Sequence, residues 1–134
     1  MKRRKFLRTS LVGLSSPLIL AKSRNLKVNK NNPVVLSTWD FGLAANEEAI
    51  KVLNNGGRSM DAAEKAARHA EADPNNNSVG IGGLPDEKGK VTLDACVMDS
   101  TGNAGSVAFL QNIKHPVSVA RKVMDGTKHV MLVG

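Results

Sequence analysis

One cysteine, Cys96, stands among 134 residues, so no disulfide within the chain can form. Tyrosine is absent, and one tryptophan and three phenylalanines offer little surface for nucleic-acid bases to stack on. No apolar run reaches the ~20 residues that a membrane-spanning helix needs. The sequence shows no internal repeat and no heptad pattern, which argues against a solenoid or a coiled coil. The run Gly80-x-Gly82-Gly83 lacks both the lysine of a phosphate loop and a helix directly after it, which argues against nucleotide binding. His69, His115 and His129 have no ligand spacing among them, so no metal site is expected. Nothing in the chain calls for a cofactor.

Charge is plentiful but unevenly placed. The formal net charge is +7, from nineteen Lys and Arg against twelve Asp and Glu. Lys2, Arg3, Arg4, Lys5, Arg8 and Lys22 supply six of the positive charges, and residues 1–23 hold no acid. The remaining 111 residues carry thirteen positive and twelve negative side chains, a net of +1. Such a balance gives a nucleic-acid partner no purchase. The basic opening instead precedes a short apolar run, Leu11–Ala21, and Ala21-Lys22-Ser23 puts small residues at the two positions that signal cleavage reads. Arg3-Arg4 in KRRKFLR resembles a twin-arginine export signal. Residues 1–23 are therefore expected to be a cleavable signal, and the mature protein periplasmic or exported. No lipid-attachment cysteine follows the apolar run.

Residues 24–32 are polar and read as a flexible leader. Pro33 opens PVVLST, whose β-branched run predicts a buried strand ending near Trp39 and Phe41. An aromatic there is either a core plug or a wall of a site. Leu43–Asn54 has helical spacing, with Leu43, Ile50 and Leu53 on one side, and Asn55-Gly56-Gly57 stops it. Ser59 is placed to cap a second, alanine-rich helix thin enough to lie close to a sheet, which Asp73-Pro74 ends. The stretch Ser78–Asp99 then predicts a glycine loop, a Pro85–Gly89 turn and an apolar strand interrupted by Asp94. Cys96 reads as a small buried hydrophobe, and Asp94 as a carboxylate bonded to amides of the glycine loop. Asp99–Asn103 is a turn into a second strand, Ala104–Leu110, giving a hairpin. Pro116 starts a helix through Met124, and His129–Gly134 is a further strand pattern. From spacing alone this is a soluble α/β domain with no complete active site. An apolar strand pattern reaching the last residue suggests a core completed by further sequence.

Four segments in register carry a resemblance. They are STWDFGLAANEEAIKVL, GGRSMDAAEKAARHAEADP, NSVGIGGLPDEKGKVTLDACVMD and GSVAFLQNIKHPVSVARKVMDGTKHVMLVG. Together, over residues 33–134, they resemble the glycosylasparaginases, amidases of the N-terminal nucleophile hydrolase superfamily. The resemblance implies an α+β fold, part of a four-layer αββα sandwich that this chain holds incompletely. It implies a precursor that cuts itself before a threonine, whose new α-amino group activates its own hydroxyl. The reaction is hydrolysis of the amide joining N-acetylglucosamine to asparagine, through an acyl-enzyme. The His-Asp-Thr processing motif is not found here, so no catalytic residue is assigned within the chain and the nucleophilic threonine is expected beyond residue 134. Ser78 matches a serine beside the nucleophile, Trp39 matches a tryptophan of the substrate pocket, and Phe41 is a weaker match for the same wall. The implied partners are the remainder of the polypeptide, in its α and β subunits, the glycoasparagine substrate, and a second copy in a homodimer of α/β units. The alternatives are an isoaspartyl peptidase or L-asparaginase of the same superfamily, and a non-catalytic fragment. On this reading residues 24–134 alone should be poorly soluble or molten, because strand edges and apolar sheet stay uncovered. A sharp cooperative melt with dispersed amide NMR signals would contradict it.

Overall fold

The computed structural model describes residues 32–134. The export signal expected over residues 1–23, and nearly all of the leader expected over 24–32, lie outside the described residues. The elements run α1 (Gly42–Asn54), α2 (Ser59–Glu71), a 3-10 turn (Gly80–Gly82), β1 (Leu93–Met98), β2 (Ala104–Leu110), α3 (Pro116–Gly126) and β3 (Met131–Val133). The chain is thus α+β, with three helices and one three-stranded sheet among the described residues, in the order β1-β2-β3.

The expected hairpin forms, β1 running antiparallel to β2. Its turn is built by Asp99, whose Oδ1 accepts the Thr101 and Asn103 amides and the Thr101 hydroxyl. That hydroxyl, first among these donors, holds the Asp99 carboxyl below the usual range. After β2 the chain crosses through α3 and returns as β3, parallel to β2, a connection that two strands joined by a tight turn cannot make. The core lies between the sheet and α3: Val107, Leu110, Ala120 and Val123 are buried, with Ala95, Val97 and Val119 packed around them. Each buried Val or Leu contributes about 1.5–3 kcal/mol.

Alternation along β1 sends Ala95 and Val97 to that core and leaves Asp94, Cys96 and Met98 exposed. Cys96 is therefore not the buried hydrophobe its apolar neighbours suggested. Asp94 also departs from expectation. Between the pairs Leu93↔Leu110 and Ala95↔Val107 the register shifts, so β2 carries an extra residue. Phe109 sits at that bulge with φ +59, and its amide donates to Asp94 Oδ1 at 2.8 Å. The carboxylate satisfies an amide that the bulge removes from the ladder, and not the glycine loop.

The helices stack on one another. α1 packs on α2 through Ala45, Ala49 and Ala62, all buried, while α3 packs on β1 and β2. The buried stripe of α1 is thus Gly42, Ala45 and Ala49, and Leu43 is 70% exposed, because close helix approach selects small side chains over large ones. The alanine-rich α2 lies against α1 and α3, and only lightly against β1. Arg58, not Ser59, occupies its N-cap position in extended conformation, with its guanidinium bonded to both Asp61 oxygens. Polar ties join α2 to α3. Arg121 reaches Asp61 at 3.2 Å, Glu64 at 3.6 Å and Asp125 at 2.6 Å, and Ser118 donates to Glu64 while accepting from Arg68.

Residues 33–38 do not form the expected strand. Val34 and Leu36 are exposed, and no neighbouring strand among the described residues offers them a ladder; an apolar run without a partner has no way to satisfy its backbone as a strand. Gly105 marks the tightest sheet–helix approach, for a methyl added there would collide with the Ala120 carbonyl and the Met124 amide of α3. Gly105→Ala should therefore destabilise the protein by about 1–3 kcal/mol, as overpacking does. Urea denaturation checks this, and an unchanged midpoint would mean that α3 shifts freely.

Candidate active-site cleft

Two segments far apart in sequence come together at the start of α1. Thr38 to Phe41 bends, the Gly42 amide donates to the Trp39 carbonyl at 2.9 Å, and the Phe41 amide donates to Asp40 Oδ1 at 2.8 Å. This turn, not a strand end, presents Trp39 and Phe41. Trp39 is 67% exposed, so it is no core plug among the described residues. Farther along, the chain leaves α2 through Asp73-Pro74 and enters the loop that carries Ser78. Asn76, itself buried, accepts the Ser78 amide on Oδ1 at 2.9 Å.

Trp39, Phe41 and Ser78 line one cavity of about 460 Å³. Glu71, Thr92 and Asp94 are on its wall as well. A larger hollow of about 560 Å³ lies between Gly89–Leu93 and Gln111–Lys114. It holds none of Trp39, Phe41 and Ser78, so the smaller cleft is the candidate site. No His, Cys, Asp or Glu cluster among the described residues is arranged to hold a metal ion.

The glycine loop is shaped by contact. Gly80 has φ +69, and a methyl on it would collide with the backbone of Glu71 at the end of α2. Only glycine combines that conformation with that approach. Gly82 meets the backbone of Pro74 and Asn76 in the same way. The loop of Ser78 is thus seated directly on the last turn of α2.

Glu71 is the residue that sequence reasoning missed. Its side chain is 8% exposed, and Oε1 accepts the Val117 amide at 2.9 Å. That amide belongs to the first turn of α3, whose own N-cap, His115, makes no side-chain cap. A carboxylate supplied from 46 residues upstream does that work. The second oxygen, Oε2, has no hydrogen-bond partner, nor has His115 Nδ1, 3.5 Å away. Burial pushes the Glu71 carboxyl above its ordinary range, and the Val117 amide and Arg68 only partly offset it. Burial, with Arg68 and the lysines nearby, pushes His115 down. One sequence signal existed: a glutamate in the last turn of a helix is where the dipole disfavours negative charge, so an outside reason for it was to be sought.

An α+β chain with an aromatic wall and a serine loop facing one cleft defines a class only loosely, and comparison with known proteins narrows it. A model of the asparaginase family matches residues 19–134, and the chain belongs to that family. It is 62% identical over 104 residues to the N(4)-(beta-N-acetylglucosaminyl)-L-asparaginase of Elizabethkingia miricola, covering 78% of this chain and 31% of that protein. The rat enzyme of the same name is 45% identical over 103 residues, covering 76% and 30%. The mouse one is 43% identical over 103 residues, again covering 76% and 30%. The chain spans about a third of the length of these relatives.

The raised Glu71 carboxyl carries a pH signature. A group whose pKa is higher folded than unfolded favours the fold while protonated, and that contribution is lost as pH rises through the folded value. His115, pushed down, acts in the opposite sense: its contribution is lost as pH falls through its folded value. Glu71→Gln keeps an acceptor for the Val117 amide and removes the charge. In the protein from its complete reading frame, this variant should melt at or above wild type near pH 7. Its advantage should shrink as pH falls through the raised folded value of the carboxyl and be gone once the ordinary carboxylate range is passed, where the carboxyl is protonated folded and unfolded alike. Thermal melts across that range test it; an advantage that grows on acidification would show that Glu71 is stabilised as a carboxylate.

Proposed function

We propose that this chain is part of an amidohydrolase that cleaves the amide between N-acetylglucosamine and asparagine, after autoproteolytic activation. The observation that carries the reading is the meeting of Trp39, Phe41 and Ser78 on one cleft, in a chain 62% identical to a bacterial protein named for that substrate. In this reading Trp39 is the rigid apolar wall with one N–H donor, Phe41 extends the wall, and Ser78 helps to orient the nucleophile's amino group. No His-Asp-Thr run occurs among these 134 residues, so in this reading the nucleophilic threonine lies elsewhere in the polypeptide and the chain supplies wall and support. The rest of the polypeptide would supply the nucleophile and the second sheet of a four-layer sandwich. Exposed Met98, Phe109, Met131 and Leu132 are in keeping with such cover. The same reading includes a homodimer of α/β units and export through a twin-arginine-type signal, the latter supported by KRRKFLR and the short apolar run after it.

The test is expression from the complete reading frame. Two subunits should appear on a denaturing gel without added protease, and glycoasparagine should release aspartate. Cleavage of isoaspartyl dipeptides with glycoasparagine left intact would replace this function with that of an isoaspartyl peptidase.

Trp39 separates pocket from packing. With the indole two-thirds exposed, Trp39→Ala should leave the melting temperature nearly unchanged. Losing the wall that orients the substrate should lower kcat/KM about 10²-fold. Trp39→Phe, which keeps the wall and loses the donor, should do less harm. Normal kinetics in folded Trp39→Ala would remove Trp39 from the site.

A further inference from the structure

The last turn of α2 is where the cleft is braced. Three contacts converge on Glu71. Its Oε1 holds the Val117 amide in the uncapped first turn of α3. Its Oε2 faces His115 Nδ1 at 3.5 Å, both atoms buried and without another partner. Its backbone is in closest contact with Gly80, two residues after Ser78, with no room for a methyl between them. Glu71 also lines the cavity shared with Trp39 and Ser78.

Position and chemistry are both costly here. A carboxyl at the carbonyl end of its own helix is disfavoured by that dipole, and taking it out of water is disfavoured again. An apolar side chain would escape both costs but would leave the Val117 amide without its acceptor. What an apolar side chain could not do is accept the Val117 amide and face His115 with a polar oxygen. The Val117 bond ties the last turn of α2 to the first turn of α3, beside the Arg121 and Ser118 contacts farther along the pair. Because Gly80 is packed against backbone, a change at the end of α2 passes to the Ser78 loop undamped.

We propose that Glu71 is a positioning residue of the cleft: by tying the last turn of α2 to the first turn of α3, it fixes the Gly80 loop and with it the hydroxyl of Ser78. This rests on the amidohydrolase reading of the cleft, since Ser78 has a role to be positioned for only there. One proton between Glu71 Oε2 and His115 Nδ1 serves both unpartnered atoms. Arg68, Lys65 and Glu64 on α2 face the pair, as does Lys114 beside it.

The experiment compares Glu71→Ala, Glu71→Met and Glu71→Gln in the self-cleaved protein from the complete reading frame, with kinetics on glycoasparagine per folded molecule. Alanine and methionine remove the acceptor, the latter while filling the space; glutamine keeps it. The expectation is that Ala or Met lowers kcat about tenfold or more, with KM within about twofold, and that Gln restores it. In parallel, the amide NMR signals of Ser78 and Gly80 should move in Ala or Met and return in Gln. A structural role alone would lower the folded fraction and leave kcat per folded molecule unchanged, and that result overturns the proposal. So does a kcat loss that Gln fails to rescue, or failure of both Ala and Met variants to fold. Wild type inactive on glycoasparagine would refute the function. The Ser78 and Gly80 signals would then decide the positioning by themselves: unmoved signals overturn it.

Discussion

The junction between the end of α2 and the start of α3 is the constraint on which the described fold turns. α3 begins with Pro116 and has no cap of its own, so its first free amide must find an acceptor elsewhere. Glu71 supplies it from across the helix pair. Once that bond is made, α3 can lie with Val117, Ala120 and Val123 buried, the last two against the sheet core. Gly105 lets the two layers approach closely. The loop leaving α2 is seated on the same turn, which brings Ser78 to the cleft that Trp39 and Phe41 also line.

Around this junction polar groups do unlike jobs. Arg121, at 11% exposure, gathers Asp61, Glu64 and Asp125 and ties helix to helix with paired charges. Glu71 and His115 form the opposite case, a buried pair whose facing atoms lack any other partner and whose burial raises the acid and lowers the imidazole. Paired charges hold helix to helix, whereas two buried atoms that lack any other partner are sensitive to what surrounds them. That the second kind borders the cleft, and the first does not, is what gives the Glu71 position its interest. Asp94 shows a third use: its carboxylate closes the bulge at Phe109 and lies on the cleft wall.

Much of this was legible in the sequence. The hairpin, all three helices, the Asp99 turn and the α+β class follow from glycine and proline placement and from apolar spacing, since each depends on near neighbours. The aromatic pair Trp39 and Phe41 and the serine of the glycine loop were legible only through family resemblance, because no spacing rule links positions 39 and 78. Three local readings failed. Residues 33–38 look like a strand and Cys96 like a buried residue, but the partner that would cover them is not among the described residues; Leu43 looks like a core residue, but the close approach of α1 to α2 takes small side chains instead.

Short-range pattern by itself therefore determined the three helices, the hairpin and their order, and several of their ends: where a proline opens α3, where glycines close α1, where Asp99 folds the chain back. Those choices rest on backbone geometry and hydrogen bonds within a few residues. Tertiary structure alone decided that a glutamate at the unfavourable end of α2 would cap α3, that Asp94 would satisfy a bulge instead of a loop, and that Trp39, Phe41 and Ser78 would line one cleft. Each of those depends on a contact between residues far apart in sequence, whose distance is set by how thinly alanines and glycines let the layers pack.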